Sequence, residues 1–189
     1  QVYKEAQLPL IPVLARMQVT GIALDVGVLS DMSKELGTQI HLLEREIFDD
    51  VGHEFNINSP QQLSGVLFDE IGLRKTKRTR TGSHSTDATA LEGLRGGELA
   101  PAHRRIIDNI LAIRQESKLK STYIDALPSL VDTSTGRLHT NYNLAGSATG
   151  RLASSDPNLM NIPIRTEQGR RVRRAFTAGP PEWLLLAAD

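Results

Sequence analysis

The chain has 189 residues, of which 39% are hydrophobic and 23% charged, as is ordinary for a globular protein with its own core. The absence of cysteine excludes a disulfide framework and any thiolate nucleophile or metal ligand. The 22 basic and 22 acidic residues give a formal net charge of zero, so the total charge argues mildly against nucleic-acid binding.

Helical patterns fill the chain up to about residue 127. Apolar residues recur there at spacings of three and four, which is the period of an amphipathic helix. Asp25 is a candidate cap for one long helix, and Ser59 followed by Pro60 marks the start of another. Residues 19–25 are predicted to form a turn and a short extended segment. The predicted helices cover about 8–17, 25–50, 59–72, 86–94 and 101–127.

A strongly basic loop separates the third and fourth predicted helices. Five cations and no acid lie within residues 74–80, whereas the stretch from Glu44 to Glu70 holds seven acids and one arginine. Segregation of this kind gives a protein a basic face and an acidic face. Cations on a loop suit phosphate groups, which fix the position of a nucleic acid without reporting its sequence. A merely solvated loop is the alternative. The candidate ligands are Lys75, Lys77, Arg78, Arg80, Thr81 and Ser83.

The pattern changes from helical to strand-like near Val131. Residues 138–143 alternate as a single strand does, and a one-turn helix is predicted near 167–173. The continuous apolar run 183–188 predicts a buried strand, with Asp189 directly after it. Because the chain does not start with Met and stops directly after that run, we expect it to be a fragment of a longer polypeptide.

A polar, turn-rich run over 148–165, here called the signature segment, is the most informative part of the sequence. It contains two arginines, two asparagines and two prolines, so it is too polar for a core strand. Proline fixes its own backbone angle and pushes the preceding residue towards extended geometry. The segment therefore presents its side chains from a rigid, irregular backbone, which suits recognition of a ligand.

The signature segment resembles a sequence signature of the family A DNA polymerases, and the resemblance extends from about Leu8 to Asp189. It implies an α+β fold with an elongated antiparallel helical thumb over 1–130, whose basic tip loop covers about 74–85. The first strands of a mixed or antiparallel palm sheet are then expected over 131–189. The parent protein is expected to be a DNA-directed DNA polymerase, which adds deoxynucleotides from dNTPs to a primer 3′ end.

The same resemblance gives Asp189 a catalytic role. In this family an apolar strand ending in such an Asp opens the first catalytic motif, and that Asp binds both Mg²⁺ ions. A two-metal site needs a second carboxylate. Family members supply it further along the chain, together with the fingers helix that binds the incoming triphosphate, so the fragment alone is expected to be inactive. From the strand pattern alone, a surface Asp that begins a turn remains the alternative.

Arginine and asparagine donors suit the minor groove of DNA, where acceptors occur at similar positions on every base pair. The resemblance implies that Arg151 contacts the primer-terminal base pair and that Asn158 contacts the minor groove or the template. Stabilisation of turns is the alternative role for such side chains. A solvated helix face is the alternative for Arg114 and Lys118, which lie one helical turn apart. The further side chains that the resemblance places near DNA are Asn161, Arg165, Arg114 and Lys118.

Two positions depart from the family pattern. Met160 and Leu144 stand where family members usually and often have Gln, respectively, and a thioether cannot donate to a base edge. The expected partners are primer–template DNA and dNTP, with no membrane, and the expected state is a cytoplasmic monomer. Two alternatives from other classes stay open: a stand-alone, non-catalytic DNA-binding module, and a helical scaffold whose arginines are buried in ion pairs.

Overall fold

The computed structural model describes residues 3–80, 82–147 and 149–186. The predicted site residues Thr81 and Asp189 lie outside these ranges. Within them the chain combines α-helices with short antiparallel strands, which confirms the predicted α+β class.

The helices and strands are short apart from two long helices, α2 and α5. The α-helices are α1 (Leu8–Thr20), α2 (Val26–Val51), α3 (Pro60–Gly65), α4 (Ala88–Arg95), α5 (Pro101–Leu119), α6 (Ala126–Ser129) and α7 (Glu167–Arg174). Single π-helical turns occur at Tyr3–Gln7, Val66–Glu70 and Lys120–Ile124. The strands are β1 (Ile22–Leu24), β2 (Val131–Asp132), β3 (Arg137–Leu138), β4 (Asn141–Asn143), β5 (Ala153–Ser155) and β6 (Phe176–Thr177).

Several helices begin at a residue whose side-chain oxygen accepts a backbone N–H of the first turn, which stabilises a helix start. Such caps precede α2, α3, α4 and α7, and the sequence predicts those of α2 and α3. Helix α1 continues to Thr20, beyond the predicted end at residue 17, and it ends where Gly21 adopts a φ of 61°. The caps are Asp25, Ser59, Asp87 and Thr166.

The described chain forms two compact units. The helical unit comprises residues 35–118, and the sheet unit comprises 1–34 together with 119–189. These bounds differ from the predicted boundary at residue 130, so the assignment of thumb and palm to 1–130 and 131–189 stays a prediction. The core of the helical unit is formed by buried aliphatic and aromatic side chains, among them Ile47, Leu63, Leu67, Phe68, Leu91, Ile106, Ile107 and Ile110.

Two small antiparallel sheets organise the sheet unit. The first has the strand order β2-β3-β1-β6, with Ala23 of β1 opposite Arg137 on one side and Thr177 on the other. The second is the β4–β5 hairpin, in which Tyr142 is opposite Ser154. The signature segment begins within the loop of this hairpin and continues through β5 towards α7.

The predicted strand over 138–143 is wrong as a single element. Leu138 ends β3 of the first sheet, and Asn141 begins β4 of the hairpin. Buried Thr140 lies between them, and its hydroxyl donates to the carbonyl oxygens of Ser155 at 3.1 Å and Pro157 at 2.7 Å. These long-range hydrogen bonds fix the point at which the chain leaves one sheet for the other.

The predicted helix over 101–127 is interrupted. After Leu119 the chain forms the π-helical turn, in which the Asp125 N–H donates to the Lys120 carbonyl at 2.9 Å. The Lys120 ammonium also contacts the Asp125 carboxylate at 2.7 Å and the Ser33 hydroxyl at 2.9 Å. Hydrogen bonds to the packed helix α2 therefore accompany the change in helical geometry.

The predicted buried strand over 183–188 is wrong where the structure describes it. Residues 183–186 pair with no described strand, and the side chains of Leu184 and Leu186 are 91% and 93% exposed. A continuous apolar run forms a buried strand only where neighbouring strands supply hydrogen bonds and cover both faces. The described part of the sheet unit supplies neither to this run.

Candidate nucleic-acid interface

The basic loop, residues 74–85, folds back on itself as a narrow hairpin-like turn. The Thr79 N–H donates to the Ser83 carbonyl at 2.8 Å, and the Gly82 N–H donates to the Thr79 carbonyl at 3.0 Å. Gly82 has a φ of 89°, a conformation that favours glycine. Arg78 and His84 form an isolated antiparallel bridge below this turn. The loop backbone is therefore fixed by its own hydrogen bonds.

The base of the loop is anchored to the core of the helical unit through His84. Its Nδ1 lies 2.6 Å from the Thr76 carbonyl, and its backbone N–H donates to the Ser64 hydroxyl at 3.2 Å. The imidazole also packs edge-on against Phe68, with ring centroids 5.2 Å apart. Sequence reasoning missed this histidine because its partners are distant in the sequence.

The predicted cations of the loop are exposed, and they are engaged to different extents. Lys75 lies 3.7 Å from Asp69, and Arg78 donates to the Gly82 carbonyl at 3.3 Å. The exposed Lys75 pair is of a kind worth little energy. The side chains of Lys77 and Arg80 have no hydrogen bond or ion pair with any described residue. The loop thus offers cations that an anionic partner can engage without breaking strong contacts.

A solvent-open groove of about 680 Å³ runs between the basic loop and α4. Ser83 is half-buried, and its carbonyl accepts from both the amide and the hydroxyl of Thr79. Thr81 lies outside the described residues. The side chains that line the groove include Arg74, Lys75, Lys77 and Arg78 from the loop and Asp87, Thr89 and Leu94 near or in α4.

Helix α4 begins at the edge of this groove with a charged cap. The Asp87 carboxylate accepts from the Ala90 N–H at 2.8 Å and from the Ser85 hydroxyl at 2.6 Å. The hydrogen bonds from Ser85 and then Ala90 hold the pKa of Asp87 below its ordinary value of 3.8, because they favour the ionised form. The loop and the helix start are therefore joined by a local network.

Arg114 has a structural contact that the sequence did not reveal. Its guanidinium is half-buried and donates to the Thr86 carbonyl, with a second contact to the Thr86 hydroxyl at 3.4 Å. Burial lowers the pKa of this guanidinium. Lys118, on the same helix, is exposed. A DNA contact by either residue stays a prediction, and for Arg114 it has to coexist with the Thr86 contact.

The signature segment is held by a buried serine within the β4–β5 hairpin. The Ser154 hydroxyl accepts from the backbone amides of Leu159 at 3.1 Å and Met160 at 3.3 Å, and it donates to Asn158 Oδ1 at 3.2 Å. The Met160 amide also donates to Asn158 Oδ1 at 3.1 Å. Sequence reasoning missed Ser154, although a serine in a strand position of a polar run is a signal that a hydroxyl organises the turn.

The predicted DNA contacts of the signature segment are all exposed. Arg151 makes no hydrogen bond or ion pair with a described residue. Asn158 uses Oδ1 to fix the turn, which leaves its Nδ2 without an acceptor in the described part of the chain. The predicted turn-stabilising role and a contact with DNA are thus compatible for Asn158, because the two roles use different atoms. Asn161 and Arg165 are exposed as well, and so is Met160.

Helix α7 holds the far end of the signature segment. Arg170 donates to the Arg165 carbonyl at 3.1 Å, and Arg173 donates to the Ile162 carbonyl at 3.0 Å. A Cβ on Gly169 would overlap the Pro163 carbonyl, so this approach of helix to segment requires glycine. Two arginines of α7 therefore fix the backbone of the signature segment through its carbonyl oxygens.

The described residues show neither a metal-ligand cluster nor a membrane span. Their histidine, aspartate and glutamate side chains form no group of three or more that could hold a metal ion. No described helix is both long and apolar enough to cross a bilayer. Asp189, the predicted metal ligand, lies outside the described residues.

An α+β fold with exposed arginine and amide donors suits a nucleic-acid-binding protein, and sequence comparison identifies the family. Residues 26–189 match the model of DNA polymerase family A, and the chain belongs to that family. It is 52% identical over 99% of its length to the thermostable DNA polymerase I of Thermus thermophilus, and 48% identical over 98% of its length to DNA polymerase I of Geobacillus stearothermophilus. These matches confirm the resemblance seen in the signature segment.

A solved structure supports the same assignment. The polymerase domain of Pol1 from M. smegmatis, in complex with a DNA primer–template and dNTP, matches 92% of this chain with a TM-score of 0.77 and 43% sequence identity. The match covers 29% of that chain. The chain spans 22% of the Thermus thermophilus relative and 20% of the Geobacillus stearothermophilus relative.

Proposed function

We propose that this chain is the duplex-gripping part of a DNA-directed DNA polymerase that takes part in DNA replication or repair. The whole polymerase would transfer nucleotides from dNTPs to a primer 3′ end. The observation that carries the proposal is the coexistence of two surfaces within a family A chain. One is a basic loop whose Lys77 and Arg80 side chains have no partner among the described residues, and the other is a rigid signature segment whose Arg151 and Asn158 donors have no acceptor in the described part of the chain.

The basic loop would hold the phosphate backbone of the duplex. Lys77 and Arg80 are exposed and unpaired in the described structure, and the hydrogen-bonded loop limits the entropy lost on binding. Contacts with phosphates position DNA regardless of its sequence. A copying enzyme needs this property because it must bind every sequence it makes. This role corresponds to the tip of a thumb.

The signature segment would contact the minor groove near the primer terminus. Arg151 and the Nδ2 of Asn158 are donors without acceptors among the described residues, and minor-groove acceptors occur at similar positions on all base pairs. Donors held on a fixed backbone test the shape of a base pair without reading its identity. Asn161 and Arg165 would extend this surface, and Arg114 and Lys118 would add contacts from α5.

Asp189 would supply one carboxylate to a site for Mg²⁺. Bound there, the metal would activate the primer 3′-hydroxyl and stabilise the charge that develops on the phosphate. No three histidine, aspartate or glutamate side chains of the described residues lie together as a metal-ligand group. In this proposal the chain grips the duplex and contributes Asp189. The incoming dNTP would bind mainly to parts of the polymerase outside this chain, and we propose a cytoplasmic monomer.

The test is primer extension by the full-length polymerase that carries this chain, with Asp189→Asn compared with wild type. Loss of a metal carboxylate removes several kcal/mol of transition-state stabilisation, so we expect extension to fall roughly a thousandfold or more while DNA affinity changes little. Asp49→Asn, at an exposed position on α2, is the matched control and is expected to retain activity. Wild-type activity of Asp189→Asn would contradict the catalytic role of Asp189 and leave this chain only a DNA-binding part in the polymerase.

A further inference from the structure

Arg137, in the sheet unit, donates hydrogen bonds to three backbone carbonyls from different parts of the chain. Its Nε donates to the Thr20 carbonyl at 2.7 Å, one terminal nitrogen donates to the Gly21 carbonyl at 3.1 Å, and the other donates to the Ala178 carbonyl at 3.2 Å. It forms no ion pair with a described carboxylate. The planar guanidinium therefore fixes the end of α1 and the chain beyond β6 at once.

The sheet register explains how one side chain reaches both segments. Arg137 on β3 is opposite Ala23 on β1, and Ala23 is opposite Thr177 on β6. The three residues form a row across the sheet, so the long arginine side chain crosses the small Ala23 and reaches Ala178, the residue after β6. A shorter side chain at position 137 could not span this row.

Gly179 provides room for the guanidinium. It has a φ of 101°, and a Cβ placed there would lie 2.8 Å from an Arg137 terminal nitrogen and 3.4 Å from the Ala23 Cβ. The glycine is thus needed both for its backbone conformation and for space. Two parts of the chain thus form this contact: Arg137 supplies the donors, and the turn after β6 leaves a space for them.

Trp183 covers the same guanidinium. The Arg137 Cζ lies 5.6 Å from the centre of the Trp183 ring, within the range of a cation–π contact. The backbone N–H of Trp183 donates to the Pro180 carbonyl at 2.9 Å, which closes the turn that follows Gly179. Arg137 therefore contacts both ends of the turn 178–183. In the sequence, this turn is followed within six residues by Asp189.

We propose that Arg137 is a positioning residue for the segment that leads from β6 to Asp189. This inference rests on the proposed function, because it matters for catalysis only if Asp189 is the metal-binding carboxylate. Arg137 itself touches no reacting atom. It fixes the direction in which the chain leaves the sheet, and supporting contacts of this kind commonly change activity by about 10- to 100-fold.

The test compares Arg137→Lys with Gly179→Ala. Lysine at position 137 keeps the positive charge but loses the planar guanidinium that reaches three carbonyls. Alanine at position 179 keeps every Arg137 donor but fills the space that the guanidinium occupies. Both are expected to lower kcat of the full-length polymerase roughly 10- to 100-fold, with little change in the KM for dNTP or in the Kd for DNA. In the 189-residue chain, whose sole tryptophan is Trp183, both should change the emission and the acrylamide quenching of that residue.

Arg104→Lys is the matched control. Arg104 also donates to two backbone carbonyls, those of Arg95 at 2.8 Å and Gly97 at 3.2 Å, but it lies in the helical unit. Its replacement is expected to lower the unfolding temperature without changing kcat or Trp183 emission. If Arg137→Lys fails to fold, Gly179→Ala carries the same expectation.

Two results would overturn the inference. The first is that the Arg137→Lys and Gly179→Ala variants fold and keep the kcat and the Trp183 emission of wild type. The other is a loss of kcat matched by an equal loss of DNA affinity, which would indicate general damage to the fold. The variant Asp189→Asn separates the two proposals. If it is inactive while the Arg137 variants are normal, only the positioning role fails, and if it is fully active, the catalytic role of Asp189 fails.

Discussion

The basic loop and the signature segment are both exposed and polar, but they present their candidate DNA contacts in different ways. In the basic loop, backbone, threonine and histidine hydrogen bonds fix the chain, and the long side chains of Lys77 and Arg80 extend from it without joining these bonds. In the signature segment, side chains such as those of Ser154 and Asn158 fix the backbone. The difference suggests a division of work: the loop supplies charge, for which position matters little, and the segment supplies geometry, for which position is decisive.

The largest effect that separates the two regions is expected from Arg151→Ala. Loss of a base-edge donor should weaken binding of the chain to a primer–template duplex by about 1–3 kcal/mol, or roughly 5- to 150-fold. Because a base contact releases no phosphate counterion, the salt dependence should remain that of wild type. Fluorescence anisotropy at several salt concentrations measures both quantities. Arg45→Ala, at an exposed position on α2, is the control and should bind as wild type does. A shallower dependence of log K on log salt for Arg151→Ala would contradict the division of work between the loop and the segment.

The double variant Lys77→Ala/Arg80→Ala is expected to show the reverse pattern. Each lost phosphate contact makes the negative slope of log K against log salt shallower by about 0.9, so the slope of the double variant should be shallower by about 1.8. The same anisotropy titration gives the slope. The loss should be equal for duplexes of different sequence, since phosphate contacts carry no sequence information. An unchanged slope would show that these cations are only solvated.

Asn158→Asp is expected to have a smaller effect that isolates one atom. Aspartate keeps the oxygen that accepts from Met160 and Ser154, so the turn should persist, but the free Nδ2 donor is lost. We expect duplex binding to weaken about 5- to 10-fold, at the low end for a lost base-edge contact. Asn143→Asp is the control, because Asn143 Oδ1 likewise accepts a backbone amide, from Ala145 at 2.8 Å. Equal losses in the two variants would mean that added negative charge, not the donor, is responsible.

The smallest effect concerns the cap that joins the basic loop to α4. The pKa of Asp87 is lowered by the Ser85 and Ala90 hydrogen bonds. Its stabilising contribution is therefore complete above the ordinary value of 3.8 and is lost as the pH falls through the lower pKa of the folded state. Asp87→Asn, which keeps a capping side chain, should melt slightly below wild type at pH 7, and the gap should narrow as the pH falls below 3.8. Thermal unfolding followed by circular dichroism measures the gap. A gap that widens in acid would reverse the assigned sign, and Asp49→Asn is the exposed control.

Features set by neighbouring residues could be predicted from the sequence. The helix starts at Asp25 and Ser59 depend on a side chain and an amide three positions away, and the structure confirms them. The signature segment was recognisable because its residue order carries the information. The family followed from that order, without any knowledge of the fold.

Features set by distant partners could not be predicted in the same way. The apolar run from Trp183 has the composition of a buried strand. Burial also needs neighbouring strands, and the sequence of the run does not show whether these are present. The division of 138–143 between two sheets depends on Thr140 and carbonyls at 155 and 157. The sequence predicts Arg114 as a DNA contact, with a solvated helix face as the alternative, and only the fold reveals its contact with Thr86.

The most direct test of the central claim is the salt dependence of duplex binding by the 189-residue chain. If about four phosphates are engaged, log K should fall against log salt with a slope of about −3.6, which is roughly a hundredfold loss of affinity between 50 and 200 mM salt. That result, found equally for duplexes of different sequence, would support a chain that grips primer–template DNA. Absence of binding by the folded chain, or a slope near zero, would contradict the account.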